Sequence, residues 1–245
     1  MSNGRAEVIV GRGSFTESFP LFGYGLDQYE DLFEEKLELF VNLLTEQPVT
    51  WSGETRAPLH NQRVYPPTAS GALRTWVGVG GSQRSVVRAA RYGLPLMLAI
   101  IGGNPVAFAP FADLYRRALD HDGTTDACVG AHIPGHLAAT DVAAREQMWP
   151  HFAAMHARIG RERGWRGMTR DEFEHATGPT GALMVGAPET VARKIASVVR
   201  GLGLARFDLK YSIGTMPHEL LMESIRLYAT EVVPRVRELL SDPAA

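Results

Sequence analysis

The sequence predicts an α/β fold, a parallel sheet with its helices packed outside. Three observations carry this. Short apolar runs alternate with amphipathic helical stretches along the chain. One of those runs, Leu96–Ile101, is unbroken, as in strands covered on both faces. The length, 245 residues, is about that of one (β/α)₈ barrel, roughly 250 residues.

Taken in order, Ala6–Val10 reads as the first strand, and the turn-rich stretch from Gly11 to Gly25 follows it. Asp27, with Glu30 three residues on, is placed to open a helix in a capping-box pair. Tyr29, Phe33, Leu37, Phe40 and Leu44 then fall on one helical face. Residues 47–73 read as an irregular excursion punctuated by prolines, with Val49–Trp51 as a short strand inside it. Thr75–Val79 is the second main strand, and Trp76 alternates with its core residues, so it is assigned to packing. Helix over Ser85–Tyr92 leads to the buried strand Leu96–Ile101, and helix over Phe108–Leu119 to a fourth strand, Ala127–Ile133. A long helix follows over Val142–Arg161. Residues 163–186, rich in glycine, read as a second insertion. Thr190–Leu202 is helical, Phe207–Tyr211 is the fifth strand, and Pro217–Thr230 and Pro234–Leu240 are closing helices. Nothing in composition divides 1–245 into two domains.

Composition narrows the function classes. The net charge is −2, with 25 basic and 27 acidic residues, which gives no electrostatic footprint for nucleic acid or an anionic membrane. Apolar residues make up 45%, the mix of a soluble globular protein. No apolar run is long enough to span a bilayer. A single cysteine, Cys128, excludes an internal disulfide framework and a Cys-rich zinc module, and it fits a cytoplasmic setting.

The turn Gly78-Val79-Gly80-Gly81-Ser82 carries the strongest local chemistry. It follows an apolar strand and opens a helix. Glycines there let a ligand approach the backbone, and the free N–H groups of a helix start bind anions. The alternative is a tight turn in which Ser82 is simply the N-cap. Gln83 stands where a dinucleotide fingerprint would need glycine. The start of a later helix, Gly186-Ala187-Pro188-Glu189, reads as structural only, since Pro188 has no N–H and Glu189 opposes an anion. Arg12, at the end of the first strand, suits a bidentate phosphate contact. In a parallel barrel it opens onto the same face as the glycine turn, unless it pairs with a helix acid such as Glu17. His132 and His136, near the end of the fourth strand, could serve acid–base chemistry, and no metal site is expected there because carboxylates at ligand spacing are missing.

Four blocks together resemble the bacterial luciferase-like, flavin-dependent monooxygenases. They are G-R-A-E-V-I-V-G-R-G-S-F-T-E-S-F-P-L-F-G (Gly4–Gly23), W-V-G-V-G-G-S-Q-R-S-V-V-R-A-A-R-Y-G-L-P (Trp76–Pro95), V-G-A-P-E-T-V-A-R-K-I (Val185–Ile195) and E-S-I-R-L-Y-A-T-E-V-V-P-R-V-R (Glu223–Arg237). The resemblance implies a (β/α)₈ TIM barrel with insertions. It implies reduced FMN or the deazaflavin F420 as cofactor, and oxygen added to a small organic substrate. By position, Arg12 matches a phosphate-binding arginine, and Val79, Gly80, Gly81, Ser82 and Gln83 match the phosphate loop. Ala99, Ile101 and Gly102 fall beside the isoalloxazine ring, and His132 falls on the pocket wall as the catalytic candidate. Ala187 departs from the Ser or Thr common in relatives and loses an N-cap. The family also places three βα units before the Gly4–Gly23 block. The expectation is therefore an incomplete barrel holding strands 4–8, with the usual dimer interface missing though a homo-oligomer is open. A flavin reductase is the implied protein partner. Two other readings stand beside a monooxygenase: a non-catalytic flavin- or phosphate-binding barrel fragment, and an unrelated barrel enzyme acting on a sugar phosphate.

Overall fold

Apolar runs become strands here where both faces are covered, and the helices between them carry one apolar stripe each. The computed structural model describes residues 2, 4–13, 15–68, 73–121, 128–242. Ser14, residues 69–72 of the first excursion and Ala127, where the fourth strand was expected to begin, lie outside the described residues. Contacts gather the chain into two units, 1–78 and 79–245.

In the first unit, strand β1 (Val8–Val10) runs parallel to β4 (Thr75–Val79), with Val8 opposite Thr75 and Val10 opposite Val77. Between them the chain forms a short helix α1 (Ser18–Leu21), helix α2 (Tyr29–Leu44) and an antiparallel hairpin of β2 (Val49–Trp51) and β3 (Leu59–Gln62). Leu39 of α2 packs on Val49 and Trp51 of the hairpin. Glu35 of α2 accepts hydrogen bonds from the N–H groups of Glu54 and Thr55, tying helix to hairpin. The expected Asp27–Glu30 capping box does not form. A 3₁₀ turn over Leu26–Gln28 precedes α2, the Gly25 N–H donates to Gln28 Oε1, and Glu30 turns to Arg12 instead. Trp76 is buried and its Nε1 donates to Glu7 Oε2 at 2.6 Å, in line with a packing role.

The second unit is built on β6 (Val129–Leu137). It pairs in parallel with β5 (Leu96–Ala99), β7 (Met184–Gly186) and β8 (Arg206–Lys210). Leu96, Met97 and Leu98 are sealed from solvent, as their unbroken run predicts. Helices α3 (Gln83–Arg91), α4 (Ala109–His121), α5 (Asp141–Arg163), α6 (Arg170–Thr177), α7 (Pro188–Leu202), α8 (His218–Leu227) and α9 (Val233–Ser241) complete the unit, with a π turn over Tyr228–Val232 joining the last two. The stretch 163–186 is more than an irregular insertion. It holds α6, started by a Thr169–Glu172 capping box, and β7, which adds a parallel strand to the five expected. Met148, Phe152, Phe173, Leu183 and Val185 form the core beneath it. Among the described residues no helix is long and apolar enough to cross a membrane.

Candidate functional site

The glycine turn does what its composition allows. After Val79 the chain bends through Gly80 and Gly81, and Gly81 has φ +121°, a conformation that side chains rarely adopt. Ser82 caps α3, its Oγ accepting from the Ser85 N–H at 3.4 Å. Gly80, Gly81, Gln83 and Arg84 are exposed, and a Cβ at Gly80 would meet nothing within 4 Å. The helix start therefore faces open space, and its first N–H groups are those a helix cannot satisfy internally.

The start of α7 is closed by contrast. Asp141, in the first turn of α5, reaches across and accepts from the Ala187 N–H at 2.7 Å and from the Thr190 hydroxyl at 3.1 Å. A Cβ on Gly186 would meet Asp141 Oδ1 at 2.6 Å. The protein's own carboxylate thus occupies this terminus, while the N-cap bond that Ala187 cannot make stays unmade.

Arg12 is half-buried. Its guanidinium pairs with a helix acid, as the alternative reading allows, though the acid is Glu30 of α2 in place of Glu17, and it stands 4.7 Å over the Tyr29 ring. It borders a cavity of about 310 Å³ in the first unit with Phe19, Tyr24, Tyr29 and Lys36.

His132 sits on β6 between Ala99 of β5 and Asp208 of β8. Burial holds its imidazole below the usual histidine range, the Asp208 charge opposes that, and Lys210 adds to it. Its Nδ1 is buried without a hydrogen-bond partner. His136 is sealed in the core, where Nε2 is 2.8 Å from Gln147 Oε1. That bond commits His136 to packing α5 on β6.

Ile101 and Gly102 lie just past β5, and they border a second cavity, of about 470 Å³, within the second unit. That volume falls in the range of roughly 300–1,000 Å³ common for small-molecule sites. Ala99 and His132 are not among the residues lining it; the histidines that are, His156 and His175, come from α5 and α6. Trp165, Arg166, Met168 and Glu172 close it. Arg166 Nη1 donates to Glu172 Oε2 at 3.1 Å, and a second, shorter contact joins the same two groups. Sequence reasoning missed this wall. The signal was present as Thr169-Arg170-Asp171-Glu172, a capping-box pattern at the mouth of a long loop.

The sequence profile of the family described as luciferase-like monooxygenase matches residues 1–206. The chain belongs to that family. Its α/β fold is that of the luciferase-like TIM barrels, shared with solved structures across nearly all of this chain. Monooxygenase RslO1 from Streptomyces bottropensis matches with a TM-score of 0.71 and 23% identity, over 95% of this chain and 69% of its own. The oxygenating constituent of 3,6-diketocamphane monooxygenase from Pseudomonas putida, a type II Baeyer–Villiger monooxygenase in complex with FMN, matches with a TM-score of 0.68 and 16% identity, over 95% and 71%. An F420-dependent secondary alcohol dehydrogenase holding an F420–acetone adduct gives 0.67 and 18%, over 96% and 70%. At these identities the likeness is one of fold. No curated protein matches this luciferase-like chain.

Proposed function

We propose that the chain is a flavin-dependent oxidoreductase of the monooxygenase type, taking reduced FMN, with F420 as the alternative, and acting on a small organic substrate. One observation carries the reading: the open glycine turn at Gly80–Gly81, ahead of a helix with no acidic residue in its first turn, in a chain of this family. A phosphate fits there because the N–H groups and the helix dipole favour an anion. The Ser82 hydroxyl stands at the same start, and Gln83 and Arg84 follow on the exposed first turn. The resemblance gives Arg12 a part in phosphate binding, with Glu30 and Tyr29 fixing its guanidinium in place.

When bound, the reduced cofactor supplies the electrons. The residues of this chain bind and orient it. Ile101 and Gly102 offer a flat edge for the ring, since a Cβ at Gly102 would meet nothing within 4 Å. His132, held neutral at pH 7 by burial, is a hydrogen-bonding group and not a cation there.

Gly80→Val tests the phosphate site directly. The open space at this position means that the fold should tolerate the side chain, while a phosphate should not. Thermal stability is expected to change little, and FMN or F420 affinity to fall at least about tenfold, about 1.4 kcal/mol. Unaltered affinity for both cofactors in Gly80→Val would reject the phosphate assignment. Cofactor binding without turnover in the presence of a reductase, NAD(P)H and oxygen would favour the non-catalytic reading.

A further inference from the structure

We infer that the cavity of about 470 Å³ beside Ile101 and Gly102 is a binding site for a neutral, flat aromatic compound carrying a carbonyl oxygen, with His156 and Trp165 as its specificity residues. That this ligand is the enzyme's substrate rests on the flavin reading above; the site itself does not.

The shape comes first. One side is bare backbone at Gly103, beyond the Gly102 edge assigned to the cofactor ring, and a Cβ at Gly103 would meet nothing within 4 Å. The other side is aromatic. The Trp165 ring stands 6.0 Å from His156, tilted by 45°, and His156 stands 6.2 Å from Phe152. Bare backbone and tilted rings lining one cavity suit a planar guest that meets a ring by edge or offset contact.

The backbone that carries Trp165 is held before any ligand arrives. Gly164 ends α5 in the left-handed region with φ 74°, and the Trp165 N–H donates back to the Gly160 carbonyl at 2.8 Å. Glu172 holds the next residues from the other end, accepting from Arg166 and from the Thr169 N–H at 2.8 Å.

The chemistry follows from what is already spoken for. The Arg166 cation and the Glu172 anion neutralise each other, so the wall offers no unmatched charge to an anionic guest. His156 Nδ1 is buried with no hydrogen-bond partner. A nitrogen in that position is best left as a bare lone pair, which places the ring proton on Nε2. The group His156 can then offer a guest is a donor, and its complement is a carbonyl oxygen.

The test uses the purified chain and 1-indanone, with indane as the analogue lacking oxygen and benzoate as the anion. Binding is read by calorimetry, and folding of each variant by circular dichroism. We expect 1-indanone to bind more tightly than either control. His156→Phe, which keeps the ring and removes the donor, should weaken 1-indanone about fivefold or more and leave indane unchanged. Trp165→Ala should weaken both. Saturable binding that ignores both substitutions, a preference for benzoate, or no binding of 1-indanone to the folded chain would overturn the inference. FMN titration of the same samples separates the two readings. Gly80→Val should lose FMN and keep 1-indanone. A wild-type chain that takes 1-indanone and refuses both flavins rejects the flavin reading while leaving this site standing.

Discussion

Arg12 shows how far a residue can be read before its neighbours are known. Its place at a strand end is legible from Ala6–Val10 and the glycines around it, but its partner is not, because Glu30 lies 18 residues on and reaches it only through the fold. The guanidinium keeps donors beyond those used by one carboxylate. A hydrogen bond to a charged group contributes about 1.5–3 kcal/mol. Arg12→Ala should therefore weaken flavin binding by roughly ten- to 150-fold at about 1.4 kcal/mol per decade. Affinity equal to the wild type would leave Arg12 only its Glu30 and Tyr29 contacts. Lys194 was not legible at all, since it reads as one more surface lysine on an amphipathic helix. Its Nζ is buried and donates to the carbonyls of Thr177, Gly178 and Leu183 at 3.1, 2.8 and 2.7 Å. Burial pulls the ammonium down to about 8, while the three carbonyls favour its charged form. Lys194→Met keeps most of the volume and strips that donor from all three carbonyls. A loss of about 3 kcal/mol is expected in denaturant unfolding, as for removing one side of a buried charged network. A loss below about 1 kcal/mol would show that water replaces the ammonium freely.

Among elements, length alone did not decide what was legible: helices α5 and α7 were, and so were β4 and the three-residue β2, while β7 was not. Helices α5 and α7 emerge within two residues of the expected bounds, α7 on its apolar stripe and α5 on its length, with no glycine or proline between Thr140 and Gly164 other than Pro150 and Gly160. On α2 the expected stripe is displaced. Leu32, Leu37 and Leu39 are the buried residues, while Tyr29 and Phe33 line the first unit's cavity. Strand β7 escaped notice because its three residues end in Gly186 inside a stretch punctuated by Gly178, Pro179 and Gly181, which reads as loop. The helix start at Gly80–Ser82 was legible because a strand, glycines and a cap residue stand next to each other in sequence. The 163–181 wall showed only its Thr169–Glu172 capping pattern, because Ile101 and His175 come to one cavity through the fold. Its anchor, Glu172, gives a pH prediction. Hydrogen bonding to Arg166, then to the Thr169 N–H, holds this carboxyl at about 2, against an ordinary value of 4.5. A carboxyl lowered by folding favours the folded arrangement fully above its unfolded value and loses that contribution as pH falls through its folded one. The segment around Trp165 should thus stay ordered down to pH 4.5 and loosen toward pH 2. Trp165 emission, taken as the difference from Trp165→Phe, should shift across that window. Glu172→Gln should show the loosened emission already at pH 7. Identical spectra for Glu172→Gln and wild type at pH 7 would remove Glu172 from this role.

Across the whole molecule the two units differ in how much of their backbone is sealed. In the second unit Leu96, Leu98, Ala131 and Ile133 are completely buried, and β6 is paired with three other strands. The first unit holds its parallel pair with a β1 of three residues, in which Ile9 is 44% exposed, and its hairpin rests on a small cluster around Leu39 and Trp51. The fold class was legible because both units obey the same strand–helix alternation; this inequality was not, because alternation says nothing of how deeply a strand is covered. Local opening is governed by that cover, since few buried apolar contacts and exposed backbone hydrogen bonds give a low opening free energy. Native-state hydrogen exchange should therefore be slowest at Met97, Leu98, Ala131 and Ile133. Exchange at Val8–Val10 and across the Val49–Gln62 hairpin should be at least about 100-fold faster, an opening free energy lower by about 2.8 kcal/mol at about 1.4 kcal/mol per tenfold. The two sets should also respond differently to denaturant, the first unit's amides exchanging through an opening that leaves β5 and β6 protected. Equal protection in both sets, with one shared denaturant dependence, would mean that the chain opens only as a whole and that local burial does not decide its first step of unfolding.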